Sequence, residues 1–281
     1  MDRCRAGCKG CGVAANDREA LRATFDTAAD LYHRARPRYP AEVFDLVDAA
    51  VGSRLGGAQT LEVGPATGIA TVELASRGHR VTAIELGSEL ADRARNETAD
   101  LDVEVITGSF DTWEPPEWQS FDLIVAATSW HWLDPETRWE RAHRHLRPSG
   151  VLALWSAQHV FPVGGDPFFV DIQPVYDELG ESVPDDWVFP QPGDLPEYRD
   201  EIEASGLFVD VEVTHVDWEL TYDADSYCAL LDTFSGHIAM GPTKRAHLYG
   251  EIRRRLAERP DGLLRRHWGA AVHTAQGSPL S

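Results

Sequence analysis

The sequence predicts an α/β fold built around a mostly parallel β-sheet, and two observations lead to that prediction. From about Gln59 onward, short apolar segments alternate with amphipathic segments of helical spacing, which is the pattern of βαβ units. The first apolar segment ends in a turn bracketed by Gly64 and Gly68, the kind of turn that joins a strand to a helix. Because crossovers between parallel strands are right-handed, we expect helices on both faces of the sheet.

The predicted elements follow one another in a regular order. Asn16 is a suitable N-cap for a first helix that ends before Pro37, and a second helix begins at Pro40. Apolar runs predict strands at 60–63, 80–84, 103–106, 121–126, 151–155, 209–220 and 268–274. Helical periodicity predicts helices at 69–76, 88–98, 135–146, 224–231 and 243–259. Residues 158–196 are rich in proline and aromatic side chains, and we expect them to pack over another part of the fold.

Composition and charge narrow the classes of function. The chain has 281 residues, of which 26 are Lys or Arg and 46 are Asp or Glu, so its net charge is -20. This balance disfavours nucleic acids and anionic membranes as partners, because both are bound through Lys and Arg. The sequence contains no apolar run of the roughly 18 residues that span a membrane, and its first residues lack the apolar region of a secretory signal. We therefore expect a cytoplasmic protein that acts on a small molecule.

The carboxyl ends of the parallel strands are where such sheets bind ligands. The turn after the first strand lacks the glycine fingerprint of dinucleotide-binding proteins, because Ala66 and Ile69 stand where that pattern requires glycine. The second strand ends at Glu85, 21 residues after Gly64, which is the spacing at which a carboxylate reaches a ribose diol. A carboxylate at this place tolerates a cationic ligand and repels a phosphate.

Five segments resemble, in the same order along the chain, the motifs of class I S-adenosylmethionine-dependent methyltransferases. They are the Glu-Val-Gly-Pro-Ala-Thr-Gly turn at 62–68, Glu85, and the segments 107–111, 121–127 and 146–152. Three further segments, at 25–40, 129–133 and 230–237, are similar to a type-11 subgroup that acts on small molecules. Ala66 and Ser109 depart from the family pattern, in which a glycine and an aspartate are the usual residues.

The resemblance implies a Rossmann-like fold with a seven-stranded, mostly parallel sheet and helical cap elements. The implied strand order is 3-2-1-4-5-7-6, with strand seven antiparallel. Residues 1–15 are expected to form a flexible tail and residues 16–281 a single methyltransferase domain. Within that domain we expect N-terminal cap helices at 16–57, the cofactor-binding core at 58–157, and acceptor-side inserts with the last two strands at 158–281.

The resemblance also implies the cofactor, S-adenosyl-L-methionine, and the residues around it. Those expected to bind the cofactor are Glu62, Gly64, Pro65, Ala66, Thr67, Gly68, Glu85, Leu86, Ser109, Phe110 and Ala126, together with Tyr32 and Arg36 of the N-terminal segment. Those expected to bind the acceptor are Tyr39, Trp130, Trp132 and His237. His131 is the expected catalytic residue, either as the base that takes a proton from the acceptor or as a group that positions it. No metal is expected.

These expectations predict methyl transfer to a small-molecule acceptor by in-line displacement. A nicotinamide-dependent oxidoreductase and a non-catalytic S-adenosylmethionine-binding protein are the alternatives, and a homodimer stays open. Cys4, Cys8 and Cys11 have the C-x3-C-x2-C spacing of radical S-adenosylmethionine enzymes, but no predicted strand precedes them. We therefore expect a loose tail there, with metal binding by the three thiolates as the alternative.

Overall fold

A computed structural model describes residues 29–184 and 187–279 of the chain. The cysteine-containing tail, the helix start at Asn16 and the first residues of the 25–40 segment lie outside the described residues. By its internal contacts the chain divides into two compact units. Of the described residues, the aromatic unit, as we call it, comprises 29–37, 158–184, 187–195 and 217–269, and the sheet unit comprises 38–157, 196–216 and 270–279.

The strands of the described residues form one mixed sheet. They are β1 Gln59–Val63, β2 Arg80–Glu85, β3 Val103–Thr107, β4 Phe121–Ala127, β5 Leu146–Trp155, β6 Gln158–His159, β7 Phe208–Tyr222 and β8 Leu264–Gly277. Strands β1 to β5 are parallel in the order β3-β2-β1-β4-β5, and β8 is antiparallel to β5. β7 pairs with β8, and so does the short β6, which raises the strand number from the predicted seven to eight. The predicted fold class is confirmed.

Helices follow β1, β2 and β4, as the apolar periodicity predicts, while no helix of the described residues lies between β3 and β4. The helices are α1 Ala29–Ala35, α2 Ala41–Val51, α3 Ile69–Ser76, α4 Ser88–Glu97, α5 Arg138–His145, α6 Phe168–Asp171, α7 Gln173–Glu178, α8 Arg199–Ser205, α9 Ala224–Leu231, α10 Ser235–Ala239 and α11 Pro242–Ala257. Two single turns of 3-10 helix occupy Gly52–Arg54 and Trp130–Trp132. None of the described helices is long and apolar enough to cross a membrane.

The core of the sheet unit consists of parallel strands covered on both faces, which is why these strands are continuous apolar runs rather than alternating ones. Leu61 of β1, Ile124 of β4 and Leu152 of β5 are fully buried. The register pairs Val63 with Ile84 across β1 and β2, so these two strands end at the same level. The packed core therefore holds the carboxyl ends of neighbouring strands, and the turns that follow them, in one row.

The aromatic unit has a core of its own. Helices α9 and α11 bury Leu230, Leu248 and Ile252, and Trp268 of β8 is almost completely buried. The proline-rich segment contributes rings that pack edge to face, such as Phe161 against Phe189.

Candidate functional site

The turn between β1 and α3 adopts backbone angles that favour glycine. Gly64, Ala66 and Gly68 have φ values of +68°, +51° and +85°. A Cβ atom on Gly64 would lie 2.7 Å from the Cβ atom of Ser129, closer than real side chains approach. Glycine at 64 is therefore required both by the backbone angle and by the close approach of the segment that follows β4. Ala66 adopts the left-handed conformation that the family pattern assigns to glycine.

Glu85 ties this turn to the end of β2. Its Oε2 atom accepts a hydrogen bond from the backbone N–H of Ala66 at 2.8 Å, and its Oε1 atom accepts one from Gly87 at 2.9 Å. The side chain is almost buried, with 7% of the residue exposed. The Glu85 carboxylate therefore holds the turn after β1 against the end of β2.

Glu62, two residues before Gly64, is a fully buried carboxyl group. Neither of its oxygens has a described residue in hydrogen-bonding geometry. The pKa of Glu62 is raised to about 7, mainly because burial disfavours the charged form; the Thr71 hydroxyl lowers it in part, and the negative charge of Glu85 adds to the rise. A cation placed beside this carboxyl group would lower its pKa and supply the missing donors.

The end of β3 supplies two of the predicted cofactor residues. Ser109 accepts a weak hydrogen bond from the backbone N–H of Asp111 at 3.3 Å, and its hydroxyl hydrogen is not used by that bond. Phe110 is packed in the apolar core, and its carbonyl accepts a hydrogen bond from the Arg141 guanidinium at 2.9 Å. Leu86, after β2, is 43% exposed and offers an apolar surface at this edge of the sheet.

The segment after β4 approaches the turn directly. The Ser129 hydroxyl donates a hydrogen bond to the carbonyl of Val63, the residue before Gly64. The Tyr39 hydroxyl and the Thr128 hydroxyl are 2.9 Å apart, and Thr128 has a φ of +62°. Tyr39 and Thr128 therefore lie at this end of the sheet. Ala126, another predicted cofactor residue, has its side chain fully buried within β4.

The three residues of the Trp130–Trp132 turn differ in their surroundings. Trp130 is 2% exposed and packs in the core, with its ring centroid 4.9 Å from that of Trp139. His131 is half-buried, and its ring lies 4.9 Å from that of Trp132. The carbonyl of Trp130 accepts a hydrogen bond from Arg138 at 3.1 Å, which fixes the turn to α5. Trp130 thus serves as a core anchor that holds His131 and Trp132 at the strand end.

Three predicted site residues belong to the aromatic unit. Arg36 donates a hydrogen bond to the carbonyl of Thr233 at 2.8 Å, and its Cζ atom lies 4.8 Å from the centroid of the Tyr32 ring. His237 and the hydroxyl of Tyr176 are joined by a hydrogen bond of 2.9 Å. The other predicted site residues belong to the sheet unit, as described above.

Two features of the site were not predicted from the sequence. Ser129 and Thr128 both contact groups at the strand ends, and the signal for them was their position directly after a buried strand.

Among the described residues no group of three or more His, Cys, Asp or Glu side chains is arranged to hold a metal ion.

Comparison with known proteins identifies similarity to methyltransferases. Residues 61–154 match the type-11 family model described as a methyltransferase domain. An uncharacterised methyltransferase of Mycobacterium tuberculosis is 32% identical over 142 residues, which cover 50% of this chain and 55% of that protein. A methyltransferase-like protein of Schizosaccharomyces pombe is 30% identical over 143 residues, covering 48% of this chain and 52% of that protein. The chain thus spans about half the length of the curated relatives it matches.

Solved structures show the same fold at lower identity. A protein from Anaeromyxobacter dehalogenans, provisionally assigned as a type II methyltransferase, has a TM-score of 0.60 at 23% identity over 87% of this chain and 99% of that chain. Phosphoethanolamine N-methyltransferase 2 of Haemonchus contortus, solved with S-adenosyl-L-methionine, has a TM-score of 0.54 at 16% identity. That match covers 95% of this chain and 60% of the other.

Proposed function

Because residues 61–154 form a methyltransferase domain within a class I methyltransferase fold, we propose that the protein transfers the methyl group of S-adenosylmethionine to a small-molecule acceptor. One observation carries this proposal. Glu62 is a buried carboxyl group without a partner among the described residues, and it stands at a strand end beside a left-handed glycine turn. A ligand with an ammonium group at that place removes the cost of burying the charge.

The residues at the strand ends fit the cofactor group by group. We assign Glu62 to the ammonium of its methionine part and Glu85 to its ribose hydroxyl groups, while the turn 64–68 lets the ligand approach the backbone. Leu86 supplies an apolar face for the adenine, and Ser109 a hydroxyl for its amino group. The bound cofactor supplies a sulfonium-linked methyl group that is open to in-line displacement.

The protein's own contribution to the reaction is orientation and, for an oxygen or nitrogen acceptor, removal of a proton. We assign the removal of that proton to His131, and Trp132 beside it forms one wall of the acceptor site. Tyr39 contributes a ring and a hydroxyl at the same strand ends. The burial of Trp130 favours a supporting role for its indole. The predicted roles of Tyr32 and Arg36 in cofactor binding and of His237 in acceptor binding stay predictions.

Isothermal titration calorimetry distinguishes S-adenosylmethionine, the proposed cofactor, from NAD, the alternative. S-adenosylhomocysteine is expected to bind the full chain, and NAD is not, because Ala66 and Ile69 replace glycines of the dinucleotide fingerprint. Binding of NAD alone would overturn the proposal. A non-catalytic binding protein is separated by mass spectrometry of incubations with candidate acceptors, in which a methyltransferase yields a product heavier by one CH2 group.

A further inference from the structure

Arg266 of β8 is a buried cation in the aromatic unit without a carboxylate beside it. The residue is only 7% exposed, and its Nε atom is buried without a hydrogen-bond partner. Within the described residues, no Asp or Glu lies within ion-pair distance of its guanidinium, and its hydrogen bond with Tyr227 is to a neutral hydroxyl group. A buried charge without a partner is strongly unfavourable, so its presence points to a ligand that supplies the counter-charge.

Aromatic rings surround this guanidinium but supply no negative charge. Its Cζ atom lies 4.3 Å from the ring centroid of Trp268, 5.4 Å from that of Phe234 and 5.9 Å from that of Tyr227. Ring faces stabilise a cation, yet they accept no hydrogen bond in the plane of the guanidinium. We call Arg36, Tyr222, Tyr227, Phe234, Arg266 and Trp268 the Arg266 cluster.

The polar groups next to Arg266 are neutral. The Tyr222 hydroxyl and the Trp268 indole N–H are both buried, and apart from each other they have no hydrogen-bond partner among the described residues. Burial raises the pKa of Tyr222 and of Tyr227, so both phenols stay protonated at neutral pH and do not cancel the charge. The cluster therefore holds guanidinium, hydroxyl and indole donors and lacks an anionic acceptor.

Arg36 is a second cation in the Arg266 cluster, and it adds to the positive electrostatic potential there. The Cζ atom of Arg36 lies 4.6 Å from the centroid of the Phe234 ring, which Arg266 also faces. The only side-chain hydrogen bond of Arg36 within the described residues goes to a neutral carbonyl, that of Thr233. The two guanidinium groups thus bring two positive charges to one aromatic cluster.

We propose that the Arg266 cluster binds an oxyanion, a carboxylate or a phosphate, carried on an apolar body. An oxyanion offers only acceptors, and it matches the donors of Arg266, Tyr222 and Trp268. The carboxylate of the cofactor matches them less well, because it has an ammonium group on the same carbon atom and two arginines would repel that group.

The test uses the full chain and three probes: benzoate, its neutral isostere benzamide, and phenyl phosphate. We expect one or both oxyanions to raise the melting temperature of the wild-type protein while benzamide does not, and the oxyanion that does so identifies the anionic group that the cluster binds. In Arg266→Met the affinity for that oxyanion should fall about tenfold or more. The melting temperature of the ligand-free variant should rise, because an unpaired buried charge has been replaced by an apolar side chain.

A paired arginine of the same unit is the matched control. Arg259 donates to Asp166 at 2.9 Å, so Arg259→Met should lower the melting temperature and leave oxyanion binding unchanged. The proposal is overturned if neither oxyanion exceeds benzamide, if Arg266→Met binds the oxyanion like the wild type, or if that variant melts lower than the wild type.

A parallel series with saturating S-adenosylhomocysteine separates the oxyanion site from the cofactor. Retained oxyanion binding supports an oxyanion site separate from the cofactor site, and competition means that the oxyanion occupies the cofactor site and overturns the proposal. If S-adenosylhomocysteine itself does not bind, the proposed function fails, while the oxyanion result is still read from the series without it.

Discussion

Glu62 makes the stability of the ligand-free protein depend on pH. Its pKa is about 7 in the folded chain, because burial disfavours the charged form, and its ordinary value is 4.5. The unfolded chain therefore loses this proton at lower pH than the folded chain does. Between pH 4.5 and 7 stability falls as pH rises, and above pH 7 the full cost is present, about 3 kcal/mol for such a shift.

Glu62→Gln should remove that cost, since a neutral amide is not penalised by burial to the same degree. In urea unfolding we expect the variant to exceed the wild type by about 3 kcal/mol at pH 8 and by little near pH 4.5. Its affinity for S-adenosylhomocysteine should fall in calorimetry. Glu104→Gln, on the exposed side of β3, is the control with no such pH dependence. A variant less stable than the wild type at pH 8 would contradict the assignment.

His131 is the residue on which the chemistry is expected to depend. His131→Ala should lower turnover about 100-fold or more if the imidazole removes a proton, and should leave the affinity for S-adenosylhomocysteine nearly unchanged. His131→Asn separates the two roles that the sequence left open. An amide can position an acceptor but cannot take its proton, so partial rescue by asparagine indicates positioning. Equal losses of turnover and cofactor affinity would count against both roles.

The shape of the turn between β1 and α3 depends on the absence of a Cβ atom at Gly64. Gly64→Ala combines a left-handed backbone, which costs about 1–2 kcal/mol, with a clash against Ser129, which costs about 1–3 kcal/mol more. Gly206→Ala is the matched control, because Gly206 has a φ of +66° and open space around its Cβ position. Urea unfolding should therefore show the larger loss for Gly64→Ala, and similar losses would show that the close approach to Ser129 is unimportant.

The elements around the sheet could be predicted because each has a strong local signal. Parallel strands covered on both faces are largely continuous apolar runs, so the predicted strand at 121–126 is found at Phe121–Ala127. The predicted helices at 69–76 and 224–231 agree with α3 and α9. By contrast, α6, α7 and α10 are shorter than two turns and depend on tertiary packing, which local periodicity does not reveal.

The residues of the candidate site also differ in whether their positions could be predicted from the sequence. Glu85 was predictable from its distance along the chain to Gly64, because strand and helix lengths fix that spacing. The contact of Ser129 with Val63 was not, since it depends on how β4 ends relative to β1. The unpaired state of Arg266 was likewise invisible, because a missing partner is a property of the three-dimensional neighbourhood.

Taken over the whole chain, the two units contain unpaired buried charges of opposite sign. The sheet unit buries the carboxyl group of Glu62, and the aromatic unit buries the guanidinium of Arg266, each without a counter-ion among the described residues. These charges suit two different ligands, one with an ammonium group and one with an oxyanion. The surplus of acidic residues lies mostly on the surface, and its effect on such ligands acts at long range.

The net charge of -20 therefore has a kinetic consequence for an anionic ligand. The Debye length falls from about 30 Å at 10 mM salt to about 8 Å at 150 mM, so salt screens the repulsion between the acidic surface and an approaching anion. We expect the association rate of benzoate, followed by quenching of tryptophan fluorescence, to rise several-fold over that range. S-adenosylhomocysteine, which has no net charge, should associate at a rate that salt changes little. A benzoate rate that falls with salt would show that the positive field of the Arg266 cluster, rather than the net charge, governs the encounter.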